Sequence, residues 1–143
     1  MADWDGLRSE WAPRTLSILR IMVGLLYLEH GMAKLFGFPT AAMHPQMFQL
    51  LWFAGILEAF GGLLIALGLL TRPVAFLLSG EMAIGYFMSH APRSFFPLLN
   101  GGEAAILYCF IFFYLSAAGG GAWSLDNLLS RTPRRSYTSA IET

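Results

Sequence analysis

The sequence predicts an all-α integral membrane protein, a four-helix bundle with both termini in the cytoplasm. Three observations carry that expectation. Hydrophobic residues make up 56% of the 143 and charged residues only 13%, against about 25% charged in an ordinary soluble domain. Mean hydropathy is +0.57. The apolar residues gather in four runs of roughly 17–23 residues, the length that a ~30 Å hydrocarbon core requires. No run alternates with period two, and backbone in lipid must satisfy its own hydrogen bonds, so the runs read as helices. Net charge is zero and there is no basic run, which argues against a nucleic-acid partner.

Residues 1–14 read as a cytoplasmic N-terminal segment. Asp3, Asp5 and Glu10 spoil a basic leader and no Ala-x-Ala-like site follows, so the first run is expected to remain in the mature protein. Residues 15–118 form the transmembrane domain. Its first run, about Leu16 to Phe36, spans only if the bundle tolerates Glu29, His30 and Lys34. Arg20, near its start, has a stem long enough to snorkel to the interface. The second run, Phe48 to Leu70, is interrupted only by Gln49, Glu58 and glycines. The third runs from Pro73 to about Ser89, with Thr71 as its expected N-cap and Pro73 in its first turn. The fourth runs from Gly101 to Ala118 and stops at Gly119-Gly120-Gly121. Residues 119–143 form a cytoplasmic tail, with one short interfacial helix over Ser124 to Leu129 and a polar, disordered stretch from Ser130.

Four spans put both termini on one side. Arg8, Arg14, Arg20, Arg72, Arg131, Arg134 and Arg135 fall there, while only Lys34 and Arg93 fall opposite. The positive-inside rule makes the terminal side cytoplasmic. His30, His44 and His90 then lie toward the outer face. Phe95 and Phe96, between Pro92 and Pro97, are placed to dip into the outer interface.

Each run carries one glutamate: Glu29, Glu58, Glu81 and Glu103. An ionisable group inside a membrane is costly and marks a functional site by default. Counting ~1.5 Å per residue from the cytoplasmic end puts Glu29 at about 20 Å, Glu58 at about 18 Å, Glu103 at about 23 Å, His30 at about 21 Å and His90 at about 26 Å. Glu81 falls lower, at about 12 Å. Lys34 and Arg93 sit just above the outer group. On the second helix Gly55, Glu58, Ala59 and Gly62 share one face, where small residues allow close packing. His30 and Lys34 share a face of the first helix, with Glu29 about 100° away.

Structural roles compete for several of these residues. Asn100-Gly101-Gly102-Glu103 has the spacing of a capping box, with Asn100 at the N-cap and Glu103 at N3. His90 ends a helix and could face the interface. Glu29 could pair with Lys34 or Arg93, and Glu81 with Arg20 or Arg72. Glu58, central on the longest run, is the hardest to explain structurally. The single cysteine, Cys109, lies among apolar residues and cannot do dithiol chemistry.

Buried carboxylates and imidazoles can hydrogen-bond a quinone and move its protons. A metal suits this set less well than a quinone, because no Glu-x-x-His pair of the di-iron type is present; His30 and His90, at similar height, could ligate a haem, but spacing does not fix their ring directions.

The motifs, in order, are Leu19-Arg20-Ile21 leading through Gly24 to His30-Gly31 and Lys34-Leu35; Leu57-Glu58-Ala59-Phe60-Gly61-Gly62 and Gly68-Leu69-Leu70-Thr71-Arg72-Pro73; Glu81-Met82-Ala83 with Tyr86-Phe87 and His90; and Asn100-Gly101-Gly102-Glu103 with Trp123-Ser124-Leu125-Asp126. In this order the chain resembles the DoxX/DoxD-like family of small four-helix membrane proteins, from about Leu19 to Asp126. The resemblance implies a link to redox complexes, since some members look like small subunits of thiosulfate:quinone oxidoreductase and others like membrane anchors in oxidant-defence assemblies. It also implies that His30, Lys34, Glu58, Arg72, Glu81, His90 and Glu103 belong to the family pattern. The expected function is a quinone-interacting or anchoring membrane subunit of an oxidoreductase complex, working with a redox partner protein in lipid. The competing classes are a small-solute or proton transporter and a scaffold for a redox complex. A homo-oligomer is left open.

Overall fold

The structure, a computed structural model, describes residues 4–41 and 45–130. Helix α1 spans Trp4–Phe36, α2 Leu50–Leu67, α3 Thr71–Gly85, α4 Pro97–Asn100, α5 Glu103–Ala118 and α6 Leu125–Ser130. A π-helical turn, Tyr86–His90, continues α3. Among the described residues there is no strand. His44, Arg131, Arg134, Arg135 and the tail expected to be disordered lie outside the described residues.

Helix α1 begins well before the expected Leu16. Its 33 residues would extend ~50 Å at ~1.5 Å per residue, beyond any hydrocarbon core. Pro13 lies inside it. Proline removes one helical donor, but its own carbonyl is well used: it accepts from the Ser17 hydroxyl at 2.9 Å and the Ala122 amide at 3.0 Å. Helix α2 is shorter than expected at both ends. Phe48 has a positive φ of 67°, which no helix accommodates. Gly68 closes the other end in the left-handed region, its N–H returning to the Ile65 and Leu64 carbonyls.

Two expected caps are replaced. Thr71 is the first residue of α3, not its cap. The cap comes from far away: the Asp126 carboxylate accepts from the Leu70 and Thr71 amides, each at 2.8 Å. At the start of α5, Gly102 occupies the cap position and Glu103 is the first helical residue, so no capping box forms. Asn100 instead folds back, its side-chain oxygen accepting from the Gly102 amide at 2.7 Å. The gap of two residues between the cap and Glu103 that a box needs is consumed by the left-handed turn at Gly101.

Helix α1 packs along α2 and α3 along α5, with α2 and α3 in contact. The core holds Val23, Tyr27, Ile65, Leu78, Phe112 and Leu115. Burial is inverted relative to a water-soluble protein. Arg20, Lys34, Glu58, Thr71, Ser79 and Asn100 are buried, while Phe53, Phe60, Phe76, Phe110 and Phe113 are exposed. Such an apolar exterior around a polar interior suits lipid as solvent. Two helices, α1 and α2, are long and apolar enough to cross a membrane; α5 is apolar but shorter. A short helix expected over Ser124 to Leu129 is present as α6, Leu125–Ser130.

Candidate functional site

The seam between α1 and α2 is built on glycines. A Cβ on Gly31 would lie 2.3 Å from the Ala59 amide nitrogen, and one on Gly62 would lie 2.6 Å from the Leu28 nitrogen. Neither backbone could yield, so both positions need a bare Cα for the helices to approach this closely. The face expected from Gly55, Glu58, Ala59 and Gly62 is the buried face of α2. Close approach brings Lys34 of α1 onto Glu58 of α2, and the ammonium pairs with the Glu58 Oε1. Both residues are buried, at 7% and 2% exposed.

A second pair lies beside the first. Tyr27, 1% exposed, donates its hydroxyl to the Glu81 Oε2 at 2.9 Å. Its ring is wedged between Tyr108 and Phe112 of α5, with centroids at 5.3 and 4.8 Å. Glu81 lies within electrostatic reach of both Glu58 and Lys34. The remaining oxygens, Glu58 Oε2 and Glu81 Oε1, are buried without a hydrogen-bond partner. Glu81 is therefore not the low outlier that its position along the third run implied. The helices end elsewhere: α2 stops at Leu67 and α3 starts at Thr71, which puts Glu58 and Glu81 both at about 14–15 Å from the terminal side. Nor does Glu81 pair with Arg20 or Arg72.

The other candidates scatter. Glu29 and His30 are exposed, although His30 lies edge-on to Tyr108 at 6.0 Å and within electrostatic reach of Glu58. Glu29 has no ion pair with Lys34 or Arg93. Glu103 is exposed at the start of α5. His90 is half-buried; its Nδ1 meets the Asn100 carbonyl at 3.0 Å and its ring stacks near Tyr86. Arg93 is exposed. Among the described residues no group of three or more His, Cys, Asp or Glu is placed to hold a metal ion. Cys109 sits against Ser79, whose hydroxyl donates to the Cys109 carbonyl at 2.9 Å.

At the opposite, terminal end lies a polar bracket. Arg20 does not snorkel; it is fully buried. Its Nε donates to the Gly120 carbonyl at 2.7 Å, Nη1 to Ile65 and Ala66 at 2.5 Å each, and Nη2 to Trp123 at 2.7 Å. It thus neutralises the carbonyl end of α2, where a cation is favoured. Arg72 does the same for α5, donating to the Ala117 carbonyl at 2.6 Å. Gly121, with φ of 77°, presses onto Ser17 and Pro13 of α1 where a Cβ would clash. Burial alone would push the Asp126 carboxyl up. The Thr71 and Leu70 hydrogen bonds and the nearby Arg20 outweigh it and hold the group below the usual carboxylate range. A cleft of about 780 Å³ opens beside this bracket, lined by Arg14, Arg72 and Gly119–Gly121 among others.

Tyr27 and Asp126 are the site residues that sequence reasoning missed. A signal existed for Tyr27, which stands seven residues before Lys34 and so shares its helix face. For Asp126 the signal was its place at the end of the Trp123-Ser124-Leu125-Asp126 motif.

Residues 15–91 match the model of the DoxX family. An uncharacterized protein of Haemophilus influenzae is 42% identical over 124 residues, covering 82% of this chain and 92% of its own length. An uncharacterized membrane protein of Mycobacterium tuberculosis is 26% identical over 148 residues, covering 90% of each. No solved structure matches the chain.

Proposed function

The chain belongs to the DoxX family of membrane proteins, and from that premise we propose that it is a membrane subunit of a quinone-linked oxidoreductase complex. In this proposal the chain crosses the cell membrane four times, as a four-helix bundle with both termini cytoplasmic. The observation that supports it best is the pair of unpartnered, buried carboxylate oxygens, Glu58 Oε2 and Glu81 Oε1. Buried acceptors without partners call for something that supplies a proton or a donor, which is what a proton relay beside a quinone does.

A quinone supplies two-electron, two-proton chemistry in the lipid phase. Its ring suits the outer edge of the cluster, where His30 is exposed and Tyr108 half-buried, since both carry groups able to donate to ring carbonyls. His30 and Tyr108 would hold the carbonyls. Glu58 and Glu81, behind them, would take up and return protons. With one thiol in the chain, which excludes dithiol chemistry of its own, electrons would come from a partner protein or a bound cofactor.

Organic extraction of purified protein, followed by chromatography and a reduced-minus-oxidised spectrum, tests this. A stoichiometric quinone that is lost in His30→Ala is expected. Protein that carries none, binds no added quinone and retains full cellular function with Glu58→Gln would overturn it in favour of a scaffold. Proton uptake by proteoliposomes, abolished by Glu58→Gln, would instead favour a transporter.

A further inference from the structure

Among the described residues, the Lys34, Glu58 and Glu81 cluster is short of one positive charge. It joins one ammonium to two carboxylates. Each carboxylate already has one oxygen engaged, Glu58 Oε1 by Lys34 and Glu81 Oε2 by Tyr27. Each has one buried oxygen with no partner. An unbalanced charge inside a membrane is costly, and so is an acceptor without a donor. We infer that Glu58 and Glu81 together hold one exchangeable proton, shared directly or through an internal water, and that the number of protons the cluster carries is set by charge balance against Lys34.

One proton resolves both deficits together. It neutralises the cluster, and it turns one orphan acceptor into a donor, for the other carboxylate or for an internal water between them. A bound metal cation would balance the charge equally well, but among the described residues no third His, Cys, Asp or Glu is placed to complete its coordination. A proton needs no further ligand. Among the described residues, the other titratable groups facing the cluster are Tyr27 and His30 of α1 and Tyr108 of α5. Glu29 is on the same helix but exposed. Tyr27 already donates its proton to Glu81 and is neutral as a donor. The count is taken at about pH 8, above the ordinary imidazole range, so that it refers to the carboxyls and Lys34 alone.

This inference rests on the membrane-embedded reading of the cluster and not on quinone binding. Its test therefore uses quinone-free protein. Infrared spectra of purified protein at about pH 8 separate the protonated carboxyl C=O stretch from the carboxylate bands, and deuterium exchange identifies the exchangeable species. The wild type is expected to show one protonated carboxyl per molecule. Glu58→Gln and Glu81→Gln each leave one carboxylate against Lys34, and both should show none. Lys34→Gln leaves two carboxylates and no cation, and should show two. The double variant Lys34→Gln with Glu58→Gln restores the count to one, now on Glu81, and covers the case in which Lys34→Gln alone fails to fold. A wild type without the band, or a band that survives in both single glutamate variants, overturns the inference. A carboxylate band in the wild type that shifts when sodium replaces choline overturns it in favour of a bound cation.

Discussion

Arg20→Met is the most informative single perturbation of this fold. The guanidinium makes four hydrogen bonds of 2.5–2.7 Å, all to backbone carbonyls, from a fully buried position. At about 1.5–3 kcal/mol per bond to a charged group, four independent bonds would total roughly 6–12 kcal/mol. They are not independent, because one rigid group makes them all. Arg20→Met leaves no uncompensated charge but leaves four carbonyls short of a donor; at about 1–3 kcal/mol for an acceptor left fully unsatisfied, and with helical or turn donors still serving part of the set, the expected loss is about 3–5 kcal/mol. Arg20→Lys keeps the charge but lacks the planar fork, so it should lie between. Intrinsic fluorescence in detergent reports the melting temperature. At about 2–4 °C per kcal/mol, Arg20→Met should melt roughly 6–20 °C below wild type. A variant melting within about 2 °C of wild type would show that the bracket carries little stability. Equal stability of Arg20→Lys would show that charge alone, not the fork, closes α2.

The acid limb of stability should belong largely to Asp126. Its folded carboxyl is held below the ordinary value, so its contribution is complete above about pH 4, the unfolded value, and is lost as pH falls through the folded one. Asp126→Asn should flatten that limb in melting curves recorded against pH; an unchanged acid limb would assign it elsewhere. At the helix seam, Gly31→Val puts atoms 2.3 Å from backbone and should destabilise by at least about 1–3 kcal/mol. Gly80→Ala, with open space around its Cα, should instead stabilise by about 0.5–1 kcal/mol. Melting temperatures of the two variants moving in the same direction would contradict the packing.

The small-residue face of α2 was legible because periodicity alone encodes it: Gly55, Glu58, Ala59 and Gly62 recur at helical spacing. The pairing of Glu81 was not. Its height depends on where two helices end, and boundaries set by a left-handed Gly68 and a distant Asp126 cap leave little local trace. Arg20 was misread for a related reason. Its partners are carbonyls 45 and 100 residues away, and a carbonyl is common to every residue, so no side chain announces the contact. Glu29, Glu103 and His30 show the opposite limit. A polar residue in an apolar run must avoid lipid, but it can do so at an exposed helix end or edge as well as in a core. His30 shares the face of Lys34 by spacing, yet only Lys34 lies under the glycine-lined crossing.

The bracket also fixes the order of events during synthesis. Arg20 leaves the ribosome 100 residues ahead of its partner Gly120, about 5–20 s at ordinary elongation rates. Until then α2 lacks the guanidinium that closes its end, and α3 lacks the Asp126 cap. On the proposed four-span reading the helices therefore meet the bilayer as an unlatched set, and the turn at Gly119–Asp126 fastens them only after α1, α2, α3 and α5 have all been made.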